Sequence, residues 1–125
     1  MIEFYDTHAH CIKNQQGGIL IGLEGNPVFD GTLNNCDVER LTRENPNYLP
    51  AYYITNDFNA VPDETILKYH PRREGYSADE VIDDLLKRNC KLCIIDTLNY
   101  PNCQQLDYLN MVTEEKFGIT GFYVD

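Results

Sequence analysis

The chain has 125 residues, of which 42% are hydrophobic and 24% charged, and its formal net charge is -10. This is the size and composition of one globular domain with a core of its own, which excludes a disordered chain and a disulfide-dependent miniprotein. Twenty acidic residues against ten basic ones repel a phosphate backbone, so nucleic acid is excluded as a partner.

No apolar run approaches the roughly 20 residues of a membrane span, and MIEFYDTHAH has neither the basic nor the apolar region of a signal peptide. A cytoplasmic protein without a membrane partner is expected. Five cysteines, an odd number scattered along the chain, fit a reducing compartment. Cys90 and Cys93 form a lone C-x-x-C across a helix end and a strand start, where core packing is the expected role.

In chain order, Ile2 to His8 reads as a first strand, followed by the polar loop KNQQGG and a second short strand, Ile19 to Leu23. NNCDVERLTRENP reads as a short helix with Asn35 as N-cap, Asp37 in its first turn and Pro46 beyond its end. LPAYYIT supplies a third strand and ETILKYH a fourth. Ser77 and Glu80 form a capping box ahead of a stripe of Val81, Ile82, Leu85 and Leu86, with Asp83, Asp84, Lys87 and Arg88 turned to water. KLCIID is the fifth strand. Asn102 caps a further helix with Leu106, Leu109 and Val112 on one side, and GITGFYV is a sixth strand.

Apolar strands separated by helices or loops, with no Asn-Gly hairpin between neighbours, predict an α/β fold with a mostly parallel sheet of about six strands and few helices. In such sheets ligands gather at the carboxyl ends of the strands. Asp6, His8 and His10 close the first strand, Lys68 and His70 the fourth, Asp96 the fifth, and Asp125 follows the last. Residues i and i+2 of a strand share a face. Two imidazoles with a carboxylate from another strand make a ligand set for zinc, iron or manganese with open positions for water. Such an ion lowers the pKa of bound water from near 16 to about 7, which points to hydrolysis or non-redox decarboxylation.

Each of these residues also has a plainer reading. H-x-H is a short pattern, and a histidine at a strand end is commonly a hydrogen-bonded loop residue. Lys68 reads equally as a surface lysine with a buried stem, Asp96 as a loop cap, and Arg72 and Arg73 as solvated or paired with Glu74 and Asp79.

YDTHAH resembles the opening of the metal-dependent amidohydrolase superfamily, in which D-x-H-x-H ends the first strand of a (β/α)8 barrel and both histidines bind metal. VERLTRENPNYLPAYYIT and ILKYHPRREGYSADEVIDDLLKRNCKLCIIDT are similar to the branch containing aminocarboxymuconate-semialdehyde decarboxylase, with its lysine-x-histidine-proline strand. The resemblance covers most of the chain. It implies a divalent metal, zinc first among the candidates, held by His8 and His10, with Asp96 where the family usually has a third histidine. Lys68, His70 or Arg72 would hold a small acidic substrate, and Asp125, His70 or another subunit would supply the general base. The family's catalytic aspartate on the eighth strand has no counterpart here, because a closed barrel takes about 250 residues.

A trimmed barrel of residues 1–125 is therefore expected as a single amidohydrolase-like domain. It would cover its open edge by self-association, with a homodimer the simplest solution. A non-catalytic binding or regulatory module that lost part of the barrel is the alternative, and a chain belonging to a larger product is a third.

Overall fold

In the computed structural model, residues 5–25, 32–95, 111 and 115 are described. They are α/β: five strands, three helices, and parallel pairing in every register that follows. The chain divides into two compact units, Met1–Tyr53 and Ile54–Asp125.

In the first unit, β1 (Tyr5–Ala9) pairs in parallel with β2 (Gly17–Ile21), and β2 with β3 (Tyr48–Ile54), whose last residue belongs to the second unit. Residues 10–16 join β1 to β2 with no helix. Such a tight parallel return needs local support, and Gln15 provides it by donating to the Cys11 carbonyl at 3.0 Å and accepting from the Lys13 N–H at 2.7 Å. The second strand starts at Gly17, inside what the sequence presents as a polar loop. Asn47 is the reason: its carbonyl accepts from Gly18 N–H at 3.1 Å, and a Cβ on Gly17 would run into that same carbonyl. Only glycine lets the two backbones approach so closely.

Helix α1 spans Asn35–Glu44. Its N-cap is Asn34 rather than the expected Asn35, since the Asn34 side chain accepts from Asp37 N–H at 2.8 Å while Asp37 accepts from Asn34 N–H at 3.2 Å. Asn35 has another task. Its amide donates to the Tyr53 carbonyl at 2.9 Å and accepts from the Tyr53 N–H at 2.8 Å, so one side chain satisfies both backbone groups of a fully buried residue. The core of this unit is Ala9, Leu20, Val38 and Tyr48, with Leu33 and Leu41 packed against it. Burial first, and then the Glu39 carboxylate, push the Tyr52 phenol above its ordinary value, with Arg43 opposing.

In the second unit, β4 (Ile66–Tyr69) pairs in parallel with β5 (Leu92–Ile95). Between them lie a one-turn helix α2 (Pro71–Glu74) and α3 (Ala78–Lys87). The Ser77–Glu80 capping box is present, with Glu80 N–H donating to Ser77 at 3.2 Å and Ser77 N–H to Glu80 at 3.0 Å. Val81, Ile82 and Leu85 bury against Ile54, Leu67, Tyr69, Tyr76 and Ile95, and Cys90 and Cys93 pack on the same cluster.

Two residues of α3 depart from the expected stripe. Leu86 is 57% exposed. Asp84, read as solvent-facing, is instead mostly buried: it accepts from the Tyr69 hydroxyl and from Arg88 Nε, each at 2.7 Å, while Arg88 Nη2 donates to the Asn59 carbonyl at 2.8 Å. A tyrosine brought over α3 by β4 supplies the partner that a helical wheel of α3 alone does not contain.

The helix expected after Asn102 is represented by Met111 and Glu115, both helical. The other residues of that expected helix and those of the expected sixth strand lie outside the described residues. Among the described residues no helix is long and apolar enough to cross a membrane.

Candidate functional site

Strand alternation sorts the polar residues of each unit. In the first, Ala9 packs in the core with Val38 of α1, and His8 and His10 flank it, His8 within β1 and His10 one residue beyond its end. Their ring centroids are 5.0 Å apart with the planes inclined at 78°, and both rings are half-buried, Nδ1 of His10 being closed to solvent. The imidazole pair anticipated from H-x-H is therefore assembled. A backbone irregularity in the β1–β2 register falls between Asp6 and Ala9, at the point where the strand presents His8. Asp6 lies in β1.

In the second unit, Leu67 and Tyr69 face α3, and Lys68 lies on the other face, opposite Ile94 in the β5 register. Lys68 is 2% exposed, which sets aside its reading as a surface lysine. His70 follows the strand and caps α2. Its Nδ1 accepts from Arg73 N–H at 3.3 Å, its carbonyl accepts from Arg73 N–H at 3.1 Å and Glu74 N–H at 3.0 Å, and its own N–H donates to the Tyr76 hydroxyl at 2.7 Å. With Nδ1 an acceptor, a neutral His70 ring carries its hydrogen on Nε2. That tautomer donates from Nε2.

Tyr76 is a residue that sequence reasoning passed over. Its hydroxyl accepts from His70 N–H and donates to the Ile54 carbonyl at 3.0 Å, while its ring stacks on Phe58 at 5.5 Å and meets Tyr69 edge-on at 6.1 Å. It pins the end of β4 where His70 emerges. Only its place shortly after K-x-H-P hinted at this. Of the two arginines, Arg72 is exposed and Arg73 is half-buried with Nη1 closed to solvent. The loop after β3 is fastened beside them, with Thr55 N–H donating to Asn59 Oδ1 at 2.8 Å and Asn56 N–H to Glu74 Oε1 at 2.9 Å.

Asp96 and Asp125 lie outside the described residues. Among those described, no three His, Cys, Asp or Glu side chains converge as a metal-ligating group. No protein-family model, no curated protein and no solved structure matches the chain.

Proposed function

We propose that the protein is a metal-dependent hydrolase of the amidohydrolase type, built on a trimmed barrel and acting on a small acidic molecule, with His8 and His10 holding a divalent ion, zinc first. One observation carries this reading: the 5.0 Å separation of the two imidazole centroids. A zinc–nitrogen bond of about 2.0–2.1 Å, extended to the ring centre, places two imidazoles on one tetrahedral ion with centroids about 5 Å apart. Asp96 is the proposed further ligand. When bound, the ion would supply Lewis acidity toward a carbonyl or a water molecule.

The chain's own residues divide the remaining work. His8 in β1 and His10 just past its end, on either side of the core residue Ala9, would hold their rings without a costly reorganisation on binding. An exposed Arg72 is accessible to an anionic substrate group, and Arg72 takes that role in preference to the buried Lys68. His70, with its hydrogen on Nε2, serves as a donor to a substrate oxygen, which leaves the base to Asp125. The substrate is a small molecule, and a homodimer is the proposed assembly.

Metal analysis of purified protein tests the reading. Wild type loaded with zinc and freed of excess ion is expected to retain it in stoichiometric amount, and the His8→Ala/His10→Ala double variant to retain little. Wild type holding no more metal than the double variant overturns the proposal. Metal retention without turnover across ester, lactone and amide substrates replaces the hydrolase with a metal-binding module on the same scaffold.

A further inference from the structure

A cavity of about 360 Å³ opens in the second unit at the amino ends of β4 and β5, where α3 ends. It is the opposite end of β4 from His70, so the hydrolase reading makes no use of it. Its walls are pinned at both flanks. On one side Arg88 Nη2 donates to the Asn59 carbonyl at 2.8 Å. On the other, Glu64 N–H donates to the Asn89 carbonyl at 2.6 Å and Lys91 N–H to the Thr65 carbonyl at 2.9 Å. Within that second flank Glu64 is held in the left-handed region, at a φ of 59°, a conformation that costs a non-glycine residue energy. Thr65 closes the turn by donating its hydroxyl to the Pro62 carbonyl at 2.8 Å. The segment between the flanks, residues 60–63, is thereby kept bowed away from α3. The cavity is built into the fold before any ligand arrives.

Its lining is amphipathic. Ala60, Val61, Pro62 and Leu67 supply apolar wall, whereas Asp63 and Lys87 line it with one charge of each sign, both exposed. Arg88 also lines it, but its guanidinium is taken by Asp84 and Asn59. Neither the Asp63 nor the Lys87 side chain is taken by a hydrogen bond or ion pair among the described residues. The C-terminal end of α3 adds a preference for a cation, since the helix dipole is negative there. The volume falls at the small end of ligand pockets, which span about 300–1,000 Å³.

We infer that this cavity binds a free α-amino acid with an apolar side chain. Its ammonium pairs with Asp63 at the end of α3, its carboxylate with Lys87, and its side chain lies on Val61, Pro62 and Leu67. An amino acid carries both charges on one carbon and an apolar group beside them, which is the complement of this lining. Neither a metal nor the histidine pair takes part, so the site stands or falls separately from the hydrolase reading.

Titration of the isotope-labelled full chain with leucine in EDTA, followed by amide NMR shifts, tests it. Saturable shifts are expected at residues 60–67 and 87–91. No saturable shift at millimolar leucine, or shifts confined to other residues, overturns the inference. Isocaproate, which lacks the ammonium, and isoamylamine, which lacks the carboxylate, are each expected to bind about tenfold more weakly than leucine, as loss of one charge-assisted contact implies. Either one binding as tightly as leucine overturns the assignment of a zwitterion. Asp63→Asn and Lys87→Gln, both at exposed positions and checked for wild-type melting curves, are each expected to weaken leucine binding by about tenfold. Asp63→Asn should leave the affinity for isocaproate unchanged, and Lys87→Gln that for isoamylamine. The reverse pattern, or equal losses for both probes, overturns the placing of the two charges.

Discussion

Tyr69 joins a strand and a helix through one hydroxyl. It donates to Asp84 at 2.7 Å, and Asp84 is held from its other side by Arg88. Burial first, and then the hydrogen bond and charge of Asp84, push the Tyr69 phenol far above the usual tyrosine range. The folded state therefore keeps a proton that the unfolded chain releases near pH 10. Stability from this group is complete below that pH and falls as pH rises above it, because there the unfolded state binds fewer protons. Tyr69→Phe should cost about 2 kcal/mol in urea unfolding at neutral pH, since it strips one hydrogen bond from a mostly buried carboxylate. The same variant should lose less stability than wild type between pH 10 and 11.5. A wild-type stability that is flat across that alkaline interval would mean that Tyr69 ionises as easily in the fold as outside it.

Among the elements, α1 shows how little local sequence separates a cap from a tertiary anchor. Asn34 and Asn35 are chemically identical neighbours, yet one caps the helix and the other pairs with both backbone groups of Tyr53. Gly22 belongs to this arrangement, because a Cβ there would run into Asn35 Oδ1. Asn35→Ala should destabilise by about 2 kcal/mol, as two buried backbone groups lose their partner. Gly22→Ala should cost a comparable amount in wild type and much less in the Asn35→Ala background, where the obstructing oxygen is gone. A double-mutant cycle by chemical denaturation reads this coupling directly; additive losses would show that Gly22 is needed for some other reason. The Ser77 capping box, by contrast, was legible from four consecutive residues, because both of its hydrogen bonds are made within them.

For the whole molecule, charge is the property that sequence states most directly. A net charge of -10 implies repulsion from a polyanion at any distance not screened by salt. Fluorescence anisotropy with a labelled DNA duplex at physiological ionic strength should show no saturable binding, and a salt-sensitive isotherm would reveal a basic surface strong enough to outweigh the total. The parallel α/β class was legible in the same way: uninterrupted apolar strands and the absence of hairpin turns left parallel pairing as the consistent solution. The site was legible in part. H-x-H at strand spacing foretold that His8 and His10 would meet, whereas K-x-H did not reveal that Lys68 is buried while Arg72 is exposed.

What the sequence by itself determined follows from interactions that close within a few residues or act as a sum: the strand and helix periods, the Ser77–Glu80 cap, the face shared by His8 and His10, and the acidity of the chain. Tertiary structure decided the rest. Asp84 is a solvent-facing residue on a helical wheel and a buried acceptor once β4 lays Tyr69 across it. Gly17 is loop punctuation until Asn47 arrives beside it, and His70 gains its tautomer from a turn that Tyr76 holds. In each case the partner lies on another element or is oriented by one. No periodicity in the local sequence encodes an encounter that only the fold brings about.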